Sequence, residues 1–248
     1  MTGRTSSVHM GLARESDATV VTLTGALDVR SYPEVRDTLL KCAAEQPPVL
    51  VVVIDDLVPA TGSLLSVFAQ VWMRVSDWPG IPFVLVSATL SAGAIARFVP
   101  VYPTVAAALR GAGQPPSRRR TRLTLARTEG TARRSRDFTR DVCQDWRLAP
   151  EVVADARSVT NELVENVLAH TESDAVLRLE LRPKALSVAV ADDSPVPARL
   201  REGQSGYYGG LGLLLVAQLT TVWGCTPTMA GGKVVWGVLA RGVPRGSG

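Results

Sequence analysis

The sequence predicts two domains in tandem: an α/β domain built on a small, mostly parallel sheet, then an α+β domain with a mixed sheet and one helical layer. Three observations carry this expectation. Through residues 20–109, β-branched apolar runs alternate with helical stretches, which implies crossover connections around a parallel sheet. In the second half, two long helical stretches precede strands in which apolar and polar residues alternate, as in a sheet with one covered face. Between the halves lies Gly111-Ala112-Gly113-Gln114-Pro115-Pro116-Ser117, a composition that interrupts packed elements. The expected boundaries are 1–112 for the first domain, 113–120 for a linker, 121–242 for the second domain and 243–248 for a tail.

In the first half, Val20-Val21-Thr22-Leu23-Thr24 reads as a short strand closed by Gly25. A helix follows, with Ser31 or Tyr32 near its cap, Pro33 in its first turn and Val35, Leu39, Leu40 and Ala43 facing inward. Pro47-Pro48 ends it. The unbroken apolar run Val49 to Ile54 fits a strand covered on both faces. Leu64 to Ser76 is a second helix and Pro82 to Val86 another buried strand; Ala92 to Phe98 and Thr104 to Leu109 are short helices.

In the second half, Arg122 to Leu125 alternates as an opening strand, and Thr131 to Trp146 is helical with Ala132, Phe138, Val142 and Trp146 near one face. The helix expected from Pro150 carries an apolar stripe at Val152, Ala156, Val159, Leu163 and Val167. At roughly 100° per residue, Glu162 and Asn166 lie about 40° apart at the edge of that stripe. They could look into a groove or form an ordinary pair one turn apart. Ala175, Leu177, Leu179 and Leu181 alternate with Arg178 and Glu180, and Leu186, Val188 and Val190 repeat the pattern. This second strand ends in Asp192-Asp193-Ser194-Pro195. Gly203, Gly206, Gly209, Gly210 and Gly212 then lead into an apolar helix. Such a loop can bring backbone N–H groups against phosphate oxygens, although most glycine-rich turns before helices are structural. Its spacing fits neither a P-loop nor a dinucleotide fingerprint.

Composition excludes several classes. No run approaches about 18 apolar residues, so a membrane span is not expected, and the polar N-terminus lacks an apolar signal region. The default compartment is the cytoplasm. Three cysteines far apart suggest neither a disulfide framework nor a metal site. The net charge is +4, with nine arginines gathered at 118, 119, 120, 122, 127, 133, 134, 136 and 140. A nucleic-acid patch is one reading of this Arg118–Arg140 segment. Without interleaved aromatics, a solvated linker and helix face is the stronger one.

The first half resembles a STAS domain, the fold of bacterial anti-sigma factor antagonists. The resemblance rests on Leu23-Thr24-Gly25-Ala26-Leu27-Asp28-Val29, the helix Tyr32 to Ala44, the strand Val49 to Ile54 and the turn Pro59-Ala60-Thr61-Gly62-Ser63-Leu64. The family turn usually reads Asp-Ser-Ser-Gly and is phosphorylated at its second serine. Pro59, Ala60, Thr61 and Gly62 stand there in this chain, so the resemblance implies Thr61 as a candidate phosphosite, with Ser63 as a second. Thr61 could equally cap the helix that follows.

The second half, over about residues 121–240, resembles the GHKL (histidine-kinase-like) ATPase fold, and specifically the anti-sigma factor serine kinases of actinobacteria. Glu162-Leu163-Val164-Glu165-Asn166-Val167-Leu168-Ala169-His170 follows the family's Glu-Leu-x-x-Asn-Ala-x-x-His helix. Val188 to Pro195 is similar to its adenine-binding strand, Gly210-Leu211-Gly212-Leu213 to its Gly-x-Gly-Leu loop, and Gly232 to Trp236 to its closing strand. The resemblance implies ATP and Mg²⁺ as cofactors. Asn166 would coordinate Mg²⁺ through its amide oxygen, and Asp192 would accept the adenine amino proton. Backbone N–H groups of Gly210, Leu211, Gly212 and Leu213 would hold phosphates, with Glu162 as general base in phosphoryl transfer. It further implies a cytoplasmic partner-switching regulator that phosphorylates Ser or Thr on a STAS partner, or sequesters a sigma factor. An intramolecular STAS–kinase contact and a homodimer are further expectations. A docking protein without catalysis, and a DNA-binding regulator acting through the arginines, are the alternatives.

Overall fold

The computed structural model describes residues 8–15, 17–89, 94–112, 118–198 and 211–241. The chain forms two compact units, Met1–Pro115 and Pro116–Gly248.

In the first unit, β1 (His9–Arg14) lies antiparallel on β2 (Thr19–Leu27), with Met10 opposite Leu23. β1 was not foreseen, because an edge strand exposed along most of its length carries no apolar alternation. β2 runs past the expected stop at Gly25. That residue sits at φ +93°, a conformation open to glycine, and bends the strand instead of ending it. Thr19–Thr22 pair in parallel with β3 (Leu50–Val53), whereas Gly25–Leu27 pair with the short β4 (Leu57–Pro59). Between β2 and β3 lies α1 (Tyr32–Ala44), with Ser31 at the cap and Pro33 in the first turn. The Asp28 carboxylate accepts N–H bonds from Arg30 and Ser31 at 2.8 Å each. Chiefly through the Ser31 N–H, these hold its acid below the ordinary carboxylate value.

After β4 the chain makes a 3-10 turn, Gly62–Leu65, and continues as α2 (Ser66–Asp77); the helix expected from Leu64 thus starts in the tighter form. β5 (Phe83–Val86) and β6 (Val101–Tyr102) extend the parallel part of the sheet, with a 3-10 turn at Ala94–Arg97 between them. α3 (Val105–Gly111) closes the unit, capped by the Thr104 side chain, which accepts from the Ala107 N–H at 3.1 Å. Both sheet faces are buried. Leu23, Leu50, Val52 and Leu85 pack toward α1 and α2, and Val20, Val51, Val84 and Val86 toward α3.

The second unit has a five-stranded sheet in the order β10-β11-β9-β8-β7, antiparallel in every described ladder instead of mixed. β7 (Arg119–Leu125) starts inside the stretch expected as linker. Next come α4 (Thr131–Asp145), α5 (Pro150–His170), β8 (Ala175–Leu181), β9 (Ala185–Asp192), α6 (Leu211–Leu219), β10 (Val222–Pro227) and β11 (Lys233–Ala240). All five stripe positions of α5 are buried, packed with Leu177, Leu179, Val188 and Val190 of the sheet.

Two readings of this half need correction. The buried positions of α4 are Thr131, Ser135, Thr139 and Cys143; Phe138, Val142 and Trp146 sit at the margin of the core. Small side chains let α4 approach α5 closely, and the hydroxyls of Thr139 and Thr160 meet across the seam at 3.0 Å. Secondly, Glu180 does not face solvent. Its side chain is 4 % exposed, with Arg120 Nε at 2.6 Å, Arg118 Nη1 at 3.5 Å and Arg182 Nε at 3.9 Å. Burial draws the Arg118 guanidinium below its ordinary pKa, and Glu180 opposes that shift.

The three cysteines are free. Burial pushes the Cys143 thiol up to about 12 and raises that of Cys42, so both are inert packing groups. Among the described residues no helix is long and apolar enough to cross a membrane, and no cluster suited to a metal ion is present.

Candidate nucleotide site

Four elements of the second unit, α5, β9, α6 and β11, converge on one cavity. α5 contributes Leu163, Asn166 and Val167 along the border of its buried stripe. β9 delivers Asp192 at its C-terminal end, and α6 brings Gly212 and Leu213 in its first turn. The cavity holds about 580 Å³, a volume within the range of roughly 300–1,000 Å³ common for small-molecule sites. Leu163, Val167 and Val235 give it apolar walls, and Asn166, His170, Asp192, Ser194 and Lys233 are its polar lining.

Asn166 and Asp192 are the two expected site residues with side-chain chemistry in this cavity. The Nδ2 of Asn166 is buried and has no hydrogen-bond partner among the described residues. An unpaired buried amide costs about 1–3 kcal/mol, so a group that pairs with it on binding recovers that cost. Asp192 is almost wholly buried, with its side chain 1 % exposed. Its Oδ1 accepts from the Ser194 N–H at 2.8 Å and from Lys233 Nζ at 2.7 Å. Lys233 also donates to the Ser194 carbonyl at 3.3 Å.

This lysine was missed by sequence reasoning. Its position follows from the β10–β11 hairpin. Gly231 turns the chain at φ +95°, and Gly232 passes so close to β9 that an added Cβ would lie 2.0 Å from the Asp192 carbonyl oxygen. The next residue, Lys233, is then in register with Asp192. The available signal was a charge heading the otherwise apolar strand Val234-Val235-Trp236-Gly237-Val238-Leu239.

Glu162 lies one turn before Asn166 but opens onto a different hollow. That space, about 450 Å³, is lined by Arg136, Arg157, Ser158, Asn161, Glu162 and Leu215, among others. A hydrogen-bonded relay orients the carboxylate. Arg136 Nη1 donates to Asn161 Oδ1, and Asn161 Nδ2 donates to Glu162 Oε1 at 3.2 Å. Neither Arg136 nor Asn161 had been given a role, since the contact spans two helices. Glu162 also borders the first turn of α6: a Cβ on Gly212 would lie 2.6 Å from its Oε2. A carboxylate beside a helix N-terminus is in a favourable field.

The remaining expectations divide as follows. Gly210 lies outside the described residues, as do Gly203, Gly206 and Gly209. Leu211 opens α6, and the backbone of Gly212 and Leu213 forms its first turn, where N–H groups lack intrahelical partners. His170 is exposed at the end of α5. In the first unit, Thr61 and Ser63 are both exposed, with their hydroxyls 2.9 Å apart. The Thr61 side chain makes no capping bond; its backbone carbonyl accepts from the Leu64 N–H instead.

Most arginines of the arginine-rich segment are exposed. Among the described residues, Arg118 and Arg120 contact Glu180, Arg127 contacts Glu172, Arg133 and Arg140 contact Asp137, and Arg136 contacts Asn161.

Comparison with solved structures returns an anti-sigma factor antagonist from Mycobacterium paratuberculosis at 19% identity and a TM-score of 0.38. It covers 45% of this chain and 98% of that one. The RsbU and RsbW domains of a Mycobacterium tuberculosis protein match at 20% identity and a TM-score of 0.38, over 52% of this chain and 35% of that one. This chain therefore spans about a third of the length of the second. A search of curated proteins gives no match. Residues 124–236, which hold Glu162, Asn166, Asp192 and Lys233, match the family described as the histidine kinase-like ATPase domain.

Proposed function

We propose that the second unit binds Mg-ATP in the cavity between α5, β9 and α6, and transfers its phosphoryl group to a Ser or Thr of a STAS-type antagonist. In the same partner-switching scheme it would alternatively hold a sigma factor. The observation that carries the reading is the pairing, in one apolar cavity, of a partnerless buried amide on Asn166 with the buried Asp192 carboxylate. The family match over residues 124–236 supports it.

The donor set fits the ligand. When bound, Mg-ATP supplies the transferable phosphoryl group and a cation that offsets its charge. Asn166 would hold the ion through its amide oxygen, a hard ligand suited to Mg²⁺, and its partnerless Nδ2 would donate to a phosphate oxygen. Asp192 would receive the amino group of the base, and the first-turn N–H groups of α6, from Leu211 through Leu213, would face the phosphates. Glu162 would take the proton of the acceptor hydroxyl, held in orientation by Asn161 and Arg136. Its opening onto a hollow of its own suits a protein hydroxyl that arrives from outside the nucleotide cavity. Phosphoryl transfer depends mainly on position and charge, so these few groups can suffice.

A second reading, docking without transfer, is favoured by one observation: Lys233 already pairs with the carboxylate meant for the base. Incubation with γ-labelled ATP separates the two. The kinase reading expects label on a STAS partner, or on Thr61 or Ser63. Glu162→Ala should keep ADP binding and slow transfer by roughly 10²–10⁴-fold, whereas Asn166→Ala should lose the Mg²⁺-dependent part of binding. Normal turnover in both variants would remove these assignments. The DNA-binding alternative, through the exposed arginines, predicts an affinity for DNA that falls steeply with salt.

A further inference from the structure

The geometry points to Lys233 as a base-reading residue that, together with Asp192, lets the cavity accept 6-oxopurine nucleotides as well as adenine nucleotides. The inference rests on the nucleotide reading above and specifies its ligand. A carboxylate alone can only accept. It pairs with the amino group of adenine and repels the O6 of guanine, which is itself an acceptor. Here the carboxylate is accompanied by an ammonium 2.7 Å away, and both groups line the same cavity.

The hydrogen-bond inventory leaves both groups with capacity. Among the described residues, the bonds to Asp192 all end on Oδ1, which takes the Lys233 ammonium and the Ser194 N–H. Oδ2 therefore remains as an acceptor. Of its three N–H donors, Lys233 spends one on Asp192 and one on the Ser194 carbonyl, and a third is left. One acceptor and one donor thus stand side by side at the end of an apolar slot. Adenine offers an acceptor at N7 beside a donor at N6. A 6-oxopurine offers an acceptor at O6 beside a donor at N1, the same acceptor–donor order one position along the ring edge. The pair can satisfy either edge, with the lysine meeting O6 and the carboxylate meeting N1–H.

Lys233 is also held in place beside the carboxylate. Its side chain is only 10 % exposed, and the close passage of Gly232 along β9 fixes where it starts. Sites that leave a buried polar group unpaired reject the wrong analogue by roughly 10⁴-fold. A paired donor and acceptor removes most of that discrimination.

The test is competition of ADP, GDP and IDP against a fluorescent ADP analogue on the full chain with Mg²⁺. IDP isolates the O6 and N1–H contribution, because it lacks the 2-amino group. In the wild type, GDP and IDP should bind within about thirtyfold of ADP, far from the roughly 10⁴-fold rejection of an acceptor-only site. Lys233→Met should weaken GDP and IDP at least about tenfold more than ADP, the loss of one buried pairing; Lys233→Arg should retain them. Should Lys233→Met fail to fold by circular dichroism, the wild-type series and the arginine variant decide. If ADP binds while GDP and IDP fall beyond thirtyfold, or if Lys233→Met weakens all three equally, the inference is overturned and the nucleotide reading stands. If no nucleotide binds, both fall together.

Discussion

Glu180 and Asp192 are buried carboxylates on neighbouring strands of one sheet, and they have been provided for differently. Glu180 meets three arginines, through both of its oxygens, and lines neither of the two hollows described above. Asp192 meets one lysine and one backbone N–H, both on Oδ1, and lines a hollow of about 580 Å³. A buried acid whose valences are filled ties strands together. One left with an open valence beside an empty volume is arranged for something that arrives later. The amount of burial does not distinguish the two; the unspent hydrogen-bonding capacity does.

Removing Glu180 should produce the largest effect. Glu180→Ala leaves three arginines without their common counter-charge, at least one of them buried. Breaking a buried pair from one side costs about 3–5 kcal/mol, which urea unfolding of the chain would register. A loss below about 1 kcal/mol would mean that the arginines find water, and the contrast with Asp192 would collapse. Gly212→Ala is expected to act next most strongly, and on chemistry more than on stability. Alanine is favoured over glycine inside a helix by about 0.5–1 kcal/mol, so thermal stability should hold or rise. The new Cβ would, however, displace the Glu162 carboxylate 2.6 Å away. Transfer should fall by about tenfold and by more than ADP affinity does, since misplacing a catalytic group by 1 Å can cost up to roughly 10²-fold.

The smallest effects sharpen the comparison in the first unit, where two threonines occupy similar positions before helical turns. The Thr104 side chain accepts from the Ala107 N–H, whereas the Thr61 side chain bonds the neighbouring Ser63 hydroxyl and makes no cap. Thr104→Ala should cost about 1 kcal/mol, the usual worth of a cap. Thr61→Ala should stay within about 0.5 kcal/mol, as for an exposed side chain without a structural bond. Equal losses in thermal melts would show that Thr61 caps after all.

Much of this was legible in the residues. The stripe of α5 is set by a 3.6-residue period, and all five of its members are buried. Asn166 stood out at a helix edge and Asp192 at a strand end, and the family resemblance gave them their expected roles; the structure places both on one cavity. What escaped depends on contacts between elements. The inward positions of α4 are hydroxyls and a cysteine, chosen for close approach to α5, so an apolar count picks the wrong face. Lys233 gains its meaning only from the register that sets it against Asp192. Arg136 and Asn161 are 25 residues apart in sequence and meet only when α4 packs on α5. β1 has no pattern at all, because an exposed edge needs none.

The bend of β2 at Gly25 has a consequence for the first unit. Beyond it, Leu27 pairs with Pro59, and the Leu27 carbonyl receives the Ala60 N–H at 2.9 Å. The turn that bears Thr61 and Ser63 is thus anchored through main-chain atoms of β2, so replacing either hydroxyl leaves that anchor in place.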